Sequence, residues 1–190
     1  ALGPQARRQG RIPAEMAYEA MLESDGKGML YVAFINYADG NLDSVHEMLN
    51  HPSAMPGLSD GGAHCGIICD ASFPTFLLTH WTRDRKRGEK LSIAQVIELQ
   101  CRKTARSFGL LDRGVIAPGF RADINVIDYD RLRLGAPRVD YDLPKGGRRL
   151  MQDVAGYDAT ILAGSVTRRG GQSTGARPGR LLRGAQAAPV

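Results

Sequence analysis

The sequence is short of cysteines, aromatic residues and long apolar runs, and each shortage narrows what the chain does. Only Cys65, Cys69 and Cys101 occur among 190 residues, an odd number at spacings that match neither a zinc ribbon nor a disulfide framework. They read as free thiols of a reducing compartment. The strongest apolar stretch, residues 29–35, falls far short of the roughly 20 residues that a membrane-spanning helix needs. Residues 1–11 lack the apolar segment of a signal peptide. The expectation is a cytoplasmic protein with no membrane partner. Lysine is also scarce, five against twenty arginines, for a net charge of +5. The excess gathers at the two ends, at Arg7, Arg8 and Arg11 and again at Arg168, Arg169, Arg177, Arg180 and Arg183. A basic end of this kind can touch nucleic acid or acidic lipid. No nucleic-acid-binding motif accompanies it, so a solvated, mobile tail is expected and nucleic acid is not expected as a partner.

What is present is ordinary for a folded protein. A hydrophobic fraction of 43% and a charged fraction of 24% exclude whole-chain disorder, and the length allows one good core or two small ones. After a polar lead, Met16, Ala20 and Met21 recur at helical spacing behind Pro13 and Glu15. Residues 29–35 then read as a strand buried on both faces, as in a parallel sheet. Asn41 or Asp43 caps a helix carrying Leu42, Val45, Met48 and Leu49, which His51-Pro52 ends. Residues 54–58 read as the next short strand. This alternation argues for βα units.

A helix is predicted over residues 75–84, followed by a charged break. Ser92 caps a stronger helical stretch that continues through Thr104, Ala105 and Phe108 to Gly109. Beyond Gly114 the signals become turns and short strands, residues 122–127 and 159–166 being the clearest. The expected organisation is an α/β part over 1–112, a small β domain over 113–170, and a flexible Arg/Gly-rich tail over 171–190.

Asp60 is the residue with the most chemistry. It stands where an apolar segment meets Gly61-Gly62, so as a strand-end carboxylate it would emerge where parallel α/β folds place their sites. There a carboxylate can hold a metal or take a proton from water. The same position equally suits an aspartate that closes an Asx turn or caps the next helix.

Two ordered segments shift that balance. Gly57-Leu58-Ser59-Asp60-Gly61-Gly62-Ala63-His64 is followed about fifty residues later by Gly109-Leu110-Leu111-Asp112-Arg113-Gly114, Pro118-Gly119 and Ala122-Asp123-Ile124. Together they resemble the end of a metal-dependent amidohydrolase, and within that superfamily the N-acyl-D-amino-acid deacylase branch of the type 3 group. The resemblance implies that the chain is the carboxy-terminal part of a (β/α)8 barrel followed by a small β-sandwich-like domain. A whole barrel takes about 250 residues, and the early His-x-His metal pair of such enzymes is absent from this sequence.

By the same resemblance, residues 29–37 match barrel strand seven. Asp60 matches the strand-eight aspartate, which contacts metal and shuttles a proton between the attacking water and the leaving amine. Ser59, Gly61, Gly62 and His64 then line the substrate site, although Ser59 and His64 also fit plain loop roles. The implied cofactor is zinc, as one or two divalent ions whose other ligands lie upstream of this chain, so none is expected on the isolated chain. His64, Cys65 and Cys69 are not expected to ligate, because a zinc site needs about three or four convergent donors. The implied reaction is hydrolysis of a linear amide, an N-acyl-D-amino acid, to a carboxylate and an amine, with the isolated segment inactive. The alternative is a non-catalytic module that pairs with another chain. An opened barrel exposes sheet edges, so a homo-oligomer or a complementary polypeptide is expected. Asp123 and Arg113 are expected to be architectural, and Trp81 either walls a pocket or covers the barrel exterior.

Overall fold

A computed structural model describes residues 1–190 except Phe34, Leu58, Gly61 and Ala63. The chain forms two compact units, Ala1–Met48 and Leu49–Val190. In the first, α1 (Leu2–Gln9) packs against α2 (Pro13–Gly26), burying Ala6 and Met16. The turn between them is set by Gly10, which leaves α1 in the left-handed conformation (φ 63°) and lets the Arg11 N–H reach the Ala6 carbonyl at 2.9 Å. Helical backbone in α2 breaks at Glu23, and Ser24 and Asp25 both adopt left-handed angles. Next, α3 (Asp43–Asn50) begins where the Asn41 Oδ1 accepts from the Asp43 N–H at 2.9 Å.

Residues 29–35 do not form the expected strand. The described ones are irregular and open to solvent, with Tyr31 92%, Val32 72% and Ile35 70% exposed, while Phe34 lies outside the described residues. Residues 54–57 are likewise irregular, and Leu58, which the second expected strand included, is outside the description. No strand and no parallel sheet occurs among the described residues before Ile124. The physical reason is pairing. An apolar run becomes a doubly buried strand only when neighbours take its N–H and C=O groups, and no described strand pairs with this one.

The second unit is built around α4 (Phe73–Thr79), which continues as a π turn through His80–Asp84, and α5 (Ile93–Glu98), which continues as a π turn through Leu99–Lys103 into α6 (Thr104–Ser107). Leu77, Trp81, Val96 and Leu132 are almost completely buried. Trp81 therefore belongs to the core, neither walling a pocket nor covering an exterior. Its carbonyl accepts the Leu91 N–H at 2.8 Å, and the Arg85 guanidinium sits 4.8 Å above its ring.

Ser92 caps α5 as expected, its hydroxyl accepting from the Gln95 N–H at 3.1 Å. Ser92→Ala should cost about 1 kcal/mol of stability, read as a lower urea midpoint at unchanged slope. Restoration by Ser92→Asp, which can accept the same N–H, separates the cap from any effect of side-chain size.

From Ile124 onward the chain is antiparallel. β1 (Ile124–Ile127), β6 (Tyr157–Leu162), β7 (Ser165–Arg169) and β8 (Gln172–Ser173) form a four-stranded sheet in that order. β2 (Arg133–Leu134) pairs with β5 (Val154–Ala155), and β3 (Arg138–Leu143) pairs with β4 (Gly147–Met151). The single strand expected over 159–166 is two strands of a hairpin. Ala163 (φ 49°) and Gly164 (φ 80°) turn between them, both at the positive angles that tight hairpins use.

That turn is pinned from below, because the Ala163 N–H donates to Asp123 Oδ1 at 2.8 Å and the Gly164 N–H to the Ala122 carbonyl at 3.0 Å. Asp123 also accepts from Arg121 and Arg113, and Arg113 grips Asp112 through two nitrogens at 2.8 and 2.9 Å. Arg113 and Asp123 are thus architectural. Gly114 (φ 84°) is required by close approach, since a Cβ there would lie 2.9 Å from the Cys101 carbonyl oxygen. The expected tail over 171–190 returns to this segment, where Gln186 bridges Leu110 in parallel and exchanges hydrogen bonds with Leu111 and Gly109.

Candidate active site

The loop that carries Asp60 is held at both flanks. Upstream, the Pro52 carbonyl accepts from Lys103 Nζ at 2.7 Å, which lays residues 52–56 along the helix that contains Lys103. Downstream, the His64 carbonyl accepts from the Ile67 and Ile68 N–H groups at 2.9 and 3.0 Å, closing a turn. The Cys65 carbonyl then accepts from the Leu150 N–H at 2.6 Å, and Ser72 Oγ donates to Gln152 Oε1 at 2.6 Å. Helix on one side and the β3–β4 hairpin on the other thus fix the ends of the loop, and Asp60 lies between them.

Asp60 is exposed and has φ 41°, and His64 is exposed with φ 54°. Left-handed backbone is uncommon for residues other than glycine, although Asp and His adopt it more readily than most. Two such residues within five positions are a local concentration of strain of the kind that gathers at functional loops. Gly62 lies between them at φ 128°, with nothing within 4 Å of where a Cβ would stand. Ser59 is half-buried. Gly61 lies outside the described residues.

Among the described residues no hydrogen bond or ion pair joins Asp60, Ser59 and His64 side chains to one another or to a neighbour. The loop therefore presents a carboxylate and an imidazole to solvent, both unengaged among the described groups. Asp60 has the freedom to accept a proton or to ligate.

The donor set does not by itself fit zinc. Among the described residues no three His, Cys, Asp or Glu side chains gather as a metal site, whereas zinc takes three or four such donors. Cys65 and Cys69 are free thiols, and burial, aided by the charge of Asp70, pushes the Cys69 thiol above its ordinary value, away from the thiolate that metal binding requires. No helix among the described residues is long and apolar enough to cross a membrane.

His80 carries another imidazole of the second unit, at the start of the π turn that follows α4. Its ring stacks on Phe76 at 4.8 Å and meets Trp81 edge-on at 4.9 Å, and its Nε2 is buried without a hydrogen-bond partner among the described residues. Burial, with Arg85 nearby, holds its pKa below the ordinary histidine value. Its half-buried ring, packed against Phe76 and Trp81, suits a packing role.

The profile of the Amidohydrolase family matches residues 1–168, a span that contains the Asp60 loop, both helical stretches of the second unit and strands β1 to β6. Neither the curated proteins nor the solved structures that were compared include a match to this chain. A profile match over most of the sequence, running through both motifs in their expected order, leads to one conclusion: the chain belongs to the Amidohydrolase family.

Proposed function

We propose that this chain is the carboxy-terminal segment of a hydrolase that cleaves a linear amide, an N-acyl-D-amino acid, into a carboxylate and an amine, and that Asp60 carries the proton in that reaction. The observation that supports it is the loop itself, in a chain of the Amidohydrolase family: an exposed carboxylate at φ 41°, followed by Gly62 and by a second left-handed residue, His64. A carboxylate of this kind takes a proton from water as the water attacks the amide carbon. It returns the proton to the nitrogen as the C–N bond breaks. Ser59, Gly62 and His64 lie close enough along the chain to border the substrate, and Gly61 belongs to the same proposal.

Amidohydrolases generally use divalent metals, and zinc, as one or two ions, is part of the proposal for the assembled enzyme. Asp60 is the one donor offered by this segment, which is inactive alone. The test is replacement of Asp60 in the assembled enzyme, with kcat as the readout.

A second reading has an observation of its own. The apolar side chains of Met29, Leu30, Tyr31, Val32 and Ile35 are open to solvent in the first unit, which suits a module that pairs with another chain through an added strand. Light scattering on the purified chain should then give a mass above the 20.6 kDa of one copy, or one copy plus a complementary polypeptide. The double substitution Val32→Asp, Ile35→Asp should return it to a single copy. A monomer before any substitution, with no complementary chain bound, would remove this reading.

A further inference from the structure

We propose that the groove between residues 49–52 and the helical stretch through α5 and α6 is a binding site for a phosphate group, separate from the Asp60 loop. The groove encloses about 400 Å³, and its walls carry three cations, Arg102, Lys103 and Arg106, against a single carboxylate, Glu98. Leu49, Pro52 and Leu99 add apolar surface. Three donors of positive charge on one wall match the three terminal oxygens of a phosphate monoester better than the two oxygens of a carboxylate.

The two arginines are the core of the inference. Five arginines of the second unit sit on aspartates: Arg113 on Asp112, Arg121 on Asp123, Arg131 on Asp128, Arg138 on Asp140, Arg149 on Asp142. The guanidinium groups of Arg102 and Arg106 make no hydrogen bond or ion pair among the described residues. Glu98 would be the natural partner, since acid and base four apart on an α-helix face each other. No ion pair joins Glu98 to either guanidinium among the described residues.

The opposing influence is the carbonyl end of α3, which disfavours an anion. It is covered in part. Lys103 Nζ donates to the Pro52 carbonyl at 2.7 Å, and Gln95 Nε2 donates to Asn50 Oδ1 at 2.9 Å. Lys103 holds the loop in place from the wall, so one anchored ammonium and two guanidinia without a partner among the described residues border the same space.

The probes are inorganic phosphate and adenosine monophosphate, titrated calorimetrically into the purified chain at low salt. Saturable binding at one site is expected, weakened at least about tenfold in the double variant Arg102→Gln, Arg106→Gln. The double variant Arg180→Gln, Arg183→Gln, equal in charge change but outside the groove, should bind as the parent does. Tighter binding of the nucleotide would identify an organic phosphate as the occupant, and equal affinity would identify free phosphate. No saturation by about 10 mM of either probe, or equal weakening in both double variants with circular dichroism unchanged, would overturn the proposal. Neither result depends on amide hydrolysis, so the groove and the Asp60 assignment stand or fall separately.

Discussion

Asp60→Ala in the assembled enzyme should lower kcat for amide hydrolysis by about 10²- to 10⁴-fold, the range that loss of a positioned acid or base produces. The fold should scarcely notice. Asp60 is exposed, and its carboxylate has no partner among the described residues, so its removal takes away no described contact. The backbone adds a discriminating series, because φ is 41° at this position and alanine tolerates that angle worse than Asp, Asn or Gly. Asp60→Asn keeps shape and backbone preference while removing the charge, and should be as inactive as Asp60→Ala. Asp60→Gly should be equally inactive yet no less stable than Asp60→Ala. If activity instead followed backbone preference, with Asn and Gly active and Ala not, the residue would be a turn former. Near-parental kcat in Asp60→Asn would end the proton-carrying assignment.

How much of this was legible beforehand differs from element to element. Apart from α1, whose residues read only as a polar lead, the helices were plain because their signals are local: Ser92 accepts the Gln95 N–H as its place before an apolar-periodic run implied, and α3 stops where His51-Pro52 demands. Residues 29–35 misled because an apolar run states what a segment would bury and not whether anything lies beside it. The hairpin of β6 and β7 was hidden because Ala163, rather than Asn, Asp or Gly, occupies the first positive-φ position of its turn. What holds Ala163 there is Asp123, forty residues earlier in the chain, a tertiary hydrogen bond that no local pattern announces.

β3 does carry the alternation that marks a strand, Arg138, Asp140 and Asp142 interleaved with Val139, Tyr141 and Leu143, but its partner β4 opens on Gly147, Arg148 and Arg149 without one, and the pairing is held in part by Arg149 gripping Asp142 through two nitrogens at 2.7 and 2.6 Å. In the candidate site, the glycines that follow Asp60 single it out as the residue to test. The left-handed backbone at Asp60 and His64 was not, since either residue is also common in ordinary turns. The cationic groove was less legible still. It depends on a loop that Lys103 draws against the helix, a contact that leaves no sequence signature.

The largest stability loss in the chain is expected at Trp81, which sequence left between a pocket wall and an exterior cover. It is the only tryptophan and is 1% exposed, so truncation to alanine should cost about 3–5 kcal/mol through lost burial and the cavity left behind. A second loss is specific to this site. Arg85, itself buried, rests its guanidinium on the indole face at 4.8 Å, and without the ring a buried charge loses a face of its surroundings. Trp81→Phe keeps an aromatic face for Arg85 while it shrinks the side chain, and should lie well above Trp81→Ala in stability. A thermal midpoint lower by on the order of 10 °C is expected for Trp81→Ala, followed by circular dichroism, because the substitution removes the chain's only indole fluorophore. The parent's fluorescence gives an independent check. Emission from a buried indole should be blue-shifted and should move to the red in one step with the loss of helical signal on unfolding. An emission maximum typical of a solvated indole in the native protein, or a Trp81→Ala midpoint within a degree or two of the parent, would place Trp81 on the surface and displace the core from the junction of α4 and α5.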